Sequence, residues 1–93
     1  MKSDLVSIII RTKNEERWIG LCIKKIKEQN YKNFEIILVD SSSNDKTVEK
    51  AKRNGINKLV MIKNYKPGKA INLGIEVSNG KYIVIISAHC LPI

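Results

Sequence analysis

Polar and charged side chains follow each of four apolar segments of the sequence, and their chemical types suit a nucleotide. These polar segments cover residues 11–16, 40–45, 63–69 and 87–90. They supply cations for phosphate, carboxylates for a ribose or a base, and hydroxyl groups. The candidate binding residues are Arg11, Thr12, Lys13, Glu15, Asp40, Ser42, Lys69 and Ser87. Turns and helix caps also use Ser, Asn and Asp, so a purely structural explanation of this pattern stays open.

Asp40 and Lys69 are the candidates whose positions point most specifically to a ligand. Asp40 directly follows an apolar segment, where a carboxylate can accept from a base N–H or from sugar hydroxyls. Its structural alternative is to cap the loop through backbone N–H groups. Lys69 lies in the first turn of a predicted helix, beside backbone N–H groups that favour a diphosphate, and a solvated lysine is the alternative. The P-loop pattern G-x-x-x-x-G-K-[ST] and the dinucleotide pattern G-x-G-x-x-G are both absent from the sequence.

The histidine and the cysteines give little basis for a metal site. His89 is the only histidine, and its segment contains no carboxylate. Cys22 and Cys90 lie far apart and form no C-x-x-C pair, so neither a zinc site nor a disulfide framework is predicted. Cys22 falls on the apolar stripe of a predicted helix and is expected in the core. His89 is kept as a candidate metal ligand, with a structural role as the alternative.

The four apolar segments that precede the candidates predict strands. They cover residues 5–10, 34–39, 58–62 and 82–86 and are rich in Ile and Val. Short, nearly continuous apolar runs of this kind are typical of strands that are buried on both faces.

Helical patterns separate these strands. Ile19, Cys22, Ile23 and Ile26 recur at helical spacing, with Asn14 as the predicted N-cap and Glu15 and Glu16 in the first turn. The basic residues Lys24, Lys25 and Lys27 are expected near the end of that helix. A second helix is predicted over residues 45–53, capped by Ser43 or Asn44 and stopped by Gly55. A third covers residues 67–77, where Gly74 is unfavourable unless the helix packs closely on the sheet.

The resulting order, βαβαβαβ, predicts an α/β fold of Rossmann-like type with a mainly parallel sheet. With 93 residues the chain is expected to form one small domain. Ligands of open α/β sheets bind outside the carboxyl ends of the strands. The candidate residues stand at those ends, which favours a nucleotide site.

The net charge and the composition limit the classes of binding partner that the chain can have. The net charge of +8 indicates an anionic partner or, as the alternative, a lysine-rich solvated surface. Aromatic residues make up only 5% of the chain, which argues against a base-stacking surface and hence against nucleic acid. No apolar run approaches the ~20 residues of a membrane span, and no signal peptide is recognised. We expect a cytoplasmic protein, with the membrane periphery left open.

Taken together, the segments resemble a family 2 glycosyltransferase of the GT-A fold, and this resemblance covers nearly the whole chain. Residues 6–10 followed by Asn14-Glu15-Glu16 are similar to the family's apolar strand and Asn-Glu-Glu. Residues 29–40 resemble its Q-x-Y-x-x-x-E-I-I-V-V-D, and Ser43-Asn44-Asp45 resembles its Ser-Thr-Asp. Residues 68–74 resemble its helix of Gly, Ala, Asn and Gly. Residues 80–86 resemble the strand that leads to its metal motif.

The resemblance implies transfer of a sugar from a nucleoside diphosphate donor to an acceptor, either a sugar or a lipid-linked acceptor. Arg11, Lys13 and Glu15 would line the base and ribose, Asp40 would hold the base, taken to be uracil, and Lys69 would approach the diphosphate. The family usually carries Asp-x-Asp after the fourth strand, where this sequence has Ser87-Ala88-His89. Asp40 is followed by Ser41-Ser42, where the family often has Asp-Gly. A divalent cation, Mn²⁺ or Mg²⁺, is therefore left open, with cationic side chains as the alternative means of neutralising the diphosphate.

The resemblance also implies that the acceptor-binding half lies outside this chain. We expect residues 1–93 to be a single nucleotide-sugar-binding domain that is truncated before that half, binds nucleotide and does not turn over alone. The fourth strand would then lack cover, and self-association through it is expected. The alternative function is a non-catalytic α/β module that binds a nucleotide or a protein.

Overall fold

The computed structural model of the chain describes residues 4–63 and 67–88. Strands and helices alternate along the chain. The strands are β1 (Val6–Thr12), β2 (Phe34–Asp40), β3 (Lys58–Met61) and β4 (Tyr82–Ser87), and the helices are α1 (Ile19–Lys27), α2 (Thr47–Asn54) and α3 (Pro67–Val77).

The four strands form one parallel sheet in the order β3-β2-β1-β4. The chain steps outward from β1 to β2 and β3 and then crosses back to place β4 on the other side of β1. The strand order therefore reverses between β1 and β4, which is where open α/β sheets leave a crevice for a ligand. The register pairs Thr12 with Asp40 and Arg11 with both Val39 and Ser87, so the carboxyl ends of these strands are level.

Helices cover both faces of the sheet because residues in the central strands alternate between two apolar cores. One core joins Ile10 and Leu38 to the buried side of α1, including Cys22 as expected, and to Ala51 of α2. The other joins Ile9, Ile37 and Val39 to Ala70 of α3. Burial on both faces explains why β1 and β2 are almost continuously apolar.

Two glycines have the roles that their positions indicated. Gly55 ends α2 in a left-handed conformation with φ of +93°. Gly74 packs against the sheet so closely that a Cβ atom there would lie 2.8 Å from Cγ2 of Ile9. Close packing on β1 therefore accounts for a glycine inside α3.

The predicted caps of the first two helices are wrong. Helix α1 begins at Ile19, one turn later than expected, with no acidic residue in its first turn and no side-chain cap. Asn14 instead adopts a φ of +54° in the preceding loop. Helix α2 begins at Thr47 rather than residue 45. Asp45, not Ser43 or Asn44, accepts a hydrogen bond from the backbone N–H of Thr47 at 3.0 Å.

A buried polar network ties the strands together at the amino end of the sheet. The carboxylate of Glu35 accepts hydrogen bonds from Ser7 Oγ at 2.5 Å and from the backbone N–H of Asn79 at 2.6 Å, and it pairs with Lys58 Nζ at 3.3 Å. Burial raises the pKa of Glu35, but these hydrogen bonds and the nearby lysine charge outweigh it and leave the pKa below its usual 4.5.

Strand β4 is the exposed margin of the sheet. Tyr82, Ile83, Val84 and Ile85 are between 37% and 52% exposed although three of them are aliphatic. Beside β4, an apolar groove of about 330 Å³ is lined by Val6, Ile8, Ile26, Gln29, Tyr31, Phe34, Val84 and Ile86. The sheet is thus well covered over β1 and β2 and poorly covered over β4.

Candidate functional site

The loop that follows β1 (residues 13–18) and the loop that follows β2 (residues 41–46) are joined by hydrogen bonds at the carboxyl end of the sheet, and we call them the interlocked loops. Their contact starts where the strands end, since Thr12 Oγ1 donates a hydrogen bond of 2.6 Å to Asp40 Oδ1. The backbone N–H of Ser41 then donates to the carbonyl oxygen of Thr12 at 2.9 Å. The first two polar segments of the sequence therefore meet, as parallel strands of equal register require.

The carboxylate of Asp40 is fully buried and organises its own loop. In addition to Thr12, its Oδ1 accepts from Ser43 Oγ at 2.6 Å, and its Oδ2 accepts from the backbone N–H of Ser43 at 2.8 Å. The side chain has 0% exposure. The loop-capping alternative describes this geometry, and the carboxylate has no exposed surface for a base to contact.

Asn14 fastens the two loops from the other side. Its backbone N–H donates to Ser43 Oγ at 2.8 Å, and its Oδ1 accepts from the backbone N–H of Asn44 at 2.7 Å. Asn14 and Ser42 both have left-handed backbones, with φ of +54° and +53°. Asn adopts this conformation more readily than most residues, and its amide supplies the acceptor that the second loop needs.

More hydrogen bonds extend this link toward α2. The backbone N–H of Glu15 donates to Thr47 Oγ1 at 2.8 Å, and that of Glu16 donates to Asp45 Oδ2 at 3.2 Å. Lys13 Nζ donates to the carbonyl oxygen of Ser42 at 2.9 Å. Burial raises the pKa of Asp45, but hydrogen bonds from the side chain and backbone of Thr47 and from Glu16 outweigh it, so the pKa lies below 3.8.

Arg11 and Ser87 lie on either side of the reversal in strand order. They are register partners at the ends of β1 and β4. Among residues 4–63 and 67–88, Arg11 Nε is a buried nitrogen with no hydrogen-bond partner. Ser87 is half-buried, and Lys69 is exposed in the first turn of α3. A buried donor without an acceptor is uncommon in folded proteins, which singles out Arg11.

The structure thus brings most of the candidate residues to one edge of the sheet. Arg11 and Thr12 are the last two residues of β1, Asp40 ends β2 and Ser87 ends β4. Lys13, Glu15 and Ser42 belong to the interlocked loops. His89 lies outside the described residues. The sequence did not indicate that Asn14, Asp45 and Thr47 would join the loops, because each of their partners is about 30 residues away along the chain.

The described residues at this edge do not match the needs of a divalent cation. Within the part of the chain that the structure describes, no three His, Cys, Asp or Glu side chains are grouped to hold a metal ion. Both oxygens of Asp40 are engaged, and Ser87 is a neutral hydroxyl at the position of the family's first aspartate. Mg²⁺ and Mn²⁺ prefer carboxylate oxygens, so these residues do not fit the cation.

None of the described helices has the length and apolar character needed to cross a membrane.

The fold defines an α/β domain of Rossmann-like type with a polar edge at the carboxyl ends of its strands, and comparison with known proteins places it in a family. The sequence pattern described as "Glycosyl transferase family 2" matches residues 7–93. The chain belongs to this family. It is 35% identical over 97 aligned residues to "Dolichyl N-acetyl-alpha-D-glucosaminyl phosphate 3-beta-D-2,3-diacetamido-2,3-dideoxy-beta-D-glucuronosyltransferase" of Methanococcus voltae, covering 96% of this chain and 30% of that protein.

Solved structures support the same assignment of the fold, GT-A. The mannosyltransferase PcManGT from Pyrobaculum calidifontis, in complex with GDP-Man and Mn²⁺, is similar with a TM-score of 0.85 and 28% identity, over 92% of this chain and 28% of that one. TarS 1–349 of S. aureus, in complex with UDP, is similar with a TM-score of 0.77 and 26% identity, over 89% of this chain and 27% of that one. The chain thus spans less than a third of the length of these relatives.

Proposed function

We propose that this chain is the donor-binding part of a glycosyltransferase that transfers a sugar from a nucleoside diphosphate sugar, with UDP as the nucleotide. The observation that carries the proposal is the convergence of Arg11, the interlocked loops and the first turn of α3 at the carboxyl edge of the sheet. Membership of glycosyl transferase family 2 supports the reaction class. The UDP in the similar TarS complex supports the choice of nucleotide.

Within this proposal the interlocked loops bind the base and ribose. Lys13, Glu15 and Ser42 lie on these loops, and Thr12, which is buried, supports them through its hydrogen bond to Asp40. Asp40 contributes as a positioning residue, because its buried carboxylate fixes the backbone of Ser43.

The diphosphate lies toward α3 and β4 in this arrangement. Lys69 in the first turn of α3 and Ser87 at the end of β4 are the residues that we assign to it. A lysine in the first turn of a helix is well placed for phosphate, because backbone N–H groups and the positive end of the helix dipole lie beside it.

The remaining parts of the reaction are proposals about the longer enzyme. The acceptor, a sugar or a lipid-linked acceptor, would be bound by a portion that this chain does not supply, so we expect residues 1–93 to bind nucleotide without turnover. A divalent cation with His89 as a ligand is proposed only for the reaction of the longer enzyme, on the support of Mn²⁺ in the similar PcManGT complex. We also propose a cytoplasmic location and self-association through the exposed strand β4.

An NMR titration of the 15N-labelled chain with UDP tests the proposal. We expect amide shifts at residues 11–15, 40–43 and 69, with smaller shifts for GDP at equal concentration. Residues 78–80, at the opposite end of the sheet, are the internal control and should not shift. Absence of shifts at millimolar UDP would contradict donor binding by this chain and favour the non-catalytic module.

A further inference from the structure

We infer that Arg11 binds the diphosphate of the donor and supplies the positive charge that neutralises it, so that nucleotide binding to this chain needs no divalent cation. This inference rests on the proposed function. It also moves Arg11 from the base and ribose, where the family resemblance places it, to the phosphates.

The first argument is the position of Arg11 in the sheet. It lies on β1 between Val39 of β2 and Ser87 of β4, directly at the reversal in strand order. A ligand in that crevice contacts the residues that end β1 and β4. Of the register pair Arg11 and Ser87, only Arg11 carries a charge.

The second argument is the position of Arg11 relative to α3. Ile9 contacts α3 at Gly74, and Ala70 lies one turn nearer the start of that helix. One helical turn is about 5.4 Å long, and the two residues from Ile9 to Arg11 extend β1 by about 6.6 Å on the same face. Arg11 therefore lies level with the first turn of α3, the turn that also carries Lys69.

The third argument is the unsatisfied donor. Arg11 Nε is buried and has no partner among the described residues. A guanidinium group presents its N–H donors as a planar fork that matches two oxygens of a phosphate. The residue as a whole is only half-buried, so a phosphate can approach the guanidinium group, and charge-assisted hydrogen bonds of this kind are stronger than neutral ones.

The fourth argument is the chemistry of the neighbouring residues. A metal-dependent site needs carboxylates beside the diphosphate, but the Asp40 carboxylate is buried and occupied by Thr12 and Ser43. Cations are present instead, with Arg11 at the crevice and Lys69 on α3. The charge of the diphosphate is therefore balanced by side chains rather than by a metal ion held by the described residues.

The experiment compares uridine, UMP and UDP as NMR ligands of the 93-residue chain in EDTA and in Mg²⁺. For the wild-type chain we expect affinity to rise from uridine to UDP in EDTA, with less than about a twofold change in Mg²⁺. Arg11→Gln should weaken UDP binding roughly 10- to 100-fold, the loss of one or two hydrogen bonds to a charged group. Its affinity for uridine should stay within about twofold of wild type.

Arg53→Gln is the matched control. Arg53 lies on α2, far from the crevice, in an exposed ion pair with Glu49, so the same change of charge should leave all three affinities unaltered. Arg11→Lys keeps the charge but loses the fork, and we expect it to weaken UDP binding by a smaller factor. It also serves as the second variant if Arg11→Gln does not fold, which the amide spectrum reveals directly.

The outcomes separate this inference from the proposed function. If the wild-type chain binds UDP only with Mg²⁺, or if Arg11→Gln leaves UDP affinity unchanged, the inference is overturned and donor binding stands. An equal loss of uridine and UDP affinity would assign Arg11 to the base and ribose and likewise overturn it. If the wild-type chain binds none of the three ligands, the proposed function fails, and the inference fails with it.

Discussion

Replacement of Asp40 distinguishes a carboxylate that organises the loop from one that touches the nucleotide. In the structure its two oxygens accept from Thr12 Oγ1, Ser43 Oγ and Ser43 N–H, and no part of the side chain is exposed. Two variants separate the contributions, because Asp40→Asn keeps the shape of the side chain and Asp40→Ala removes it.

The hydrogen-bonding capacities of the partners set the expected magnitudes. In Asp40→Asn the carbonyl oxygen can accept from Ser43 N–H while the new NH₂ donates to the two hydroxyls, which can rotate to accept. The charge assistance is lost, and the Thr12 and Ser43 hydroxyl groups lose the acceptor of their own hydrogens, so we expect a destabilisation of about 1–1.5 kcal/mol. Asp40→Ala leaves the buried Thr12 hydroxyl and the Ser43 N–H unsatisfied in the loop, with an expected loss of about 2–4 kcal/mol.

Urea unfolding measures both changes, and UDP titration of the same variants measures binding. We expect Asp40→Asn to bind UDP within about threefold of wild type, because the loop keeps its shape. Equal destabilisation by Asn and Ala would refute the hydrogen-bond assignment. A stable Asp40→Asn variant that loses more than about tenfold in UDP affinity would show a direct contact between the carboxylate and the nucleotide.

Three further predictions concern the frame around the site. Gly74→Ala should destabilise the fold by about 1 kcal/mol or more in urea unfolding, because overpacking against the stiff Ile9 Cγ2, at 2.8 Å, exceeds the gain in helix propensity. The lowered pKa of Glu35 makes its contribution to the free energy of unfolding complete above its unfolded value of about 4.5 and lost as pH falls through the folded value. In the Glu35→Gln variant the free energy of unfolding should therefore fall less steeply as the pH is lowered through the acid range. Light scattering should detect self-association of the chain, and this association should increase with salt because salt screens the net charge of +8. The substitution Val84→Lys on the exposed strand β4 should abolish it.

Each of these predictions has a matched control. Gly68→Ala, on the same helix with open space around its Cβ, should stabilise the fold by up to about 1 kcal/mol, and equal effects at both glycines would contradict the packing argument. Glu49→Gln, at an exposed ion pair, should leave the dependence of the unfolding free energy on acid pH unchanged. Met61→Lys, on the opposite margin of the sheet, should not affect association. A wild-type chain that stays monomeric at high concentration and high salt would contradict the role given to β4.

Most of the fold could be predicted from the sequence because its signals are local. The apolar runs located all four strands to within two residues, and helix α3 runs over the predicted residues 67–77. The caps could not be predicted in the same way. Asn14 has the side chain of a cap, yet its hydrogen bonds go to Ser43 and Asn44, and this competition appears only when β1 and β2 are side by side.

The sequence by itself determined that this is an α/β domain of family 2 glycosyltransferase type with polar residues at the carboxyl ends of its strands. Periodicity of apolar residues fixes the elements, and parallel connection fixes the end at which the polar segments gather. Only the tertiary structure decided what each polar group does there. Asp40 ends β2 and Arg11 lies one residue before the end of β1, but Asp40 is buried among hydroxyl donors of its own loop, whereas Arg11 Nε has no partner within the part of the chain that the structure describes. Hydrogen-bond satisfaction depends on neighbours brought together across the sheet, which a linear pattern does not specify.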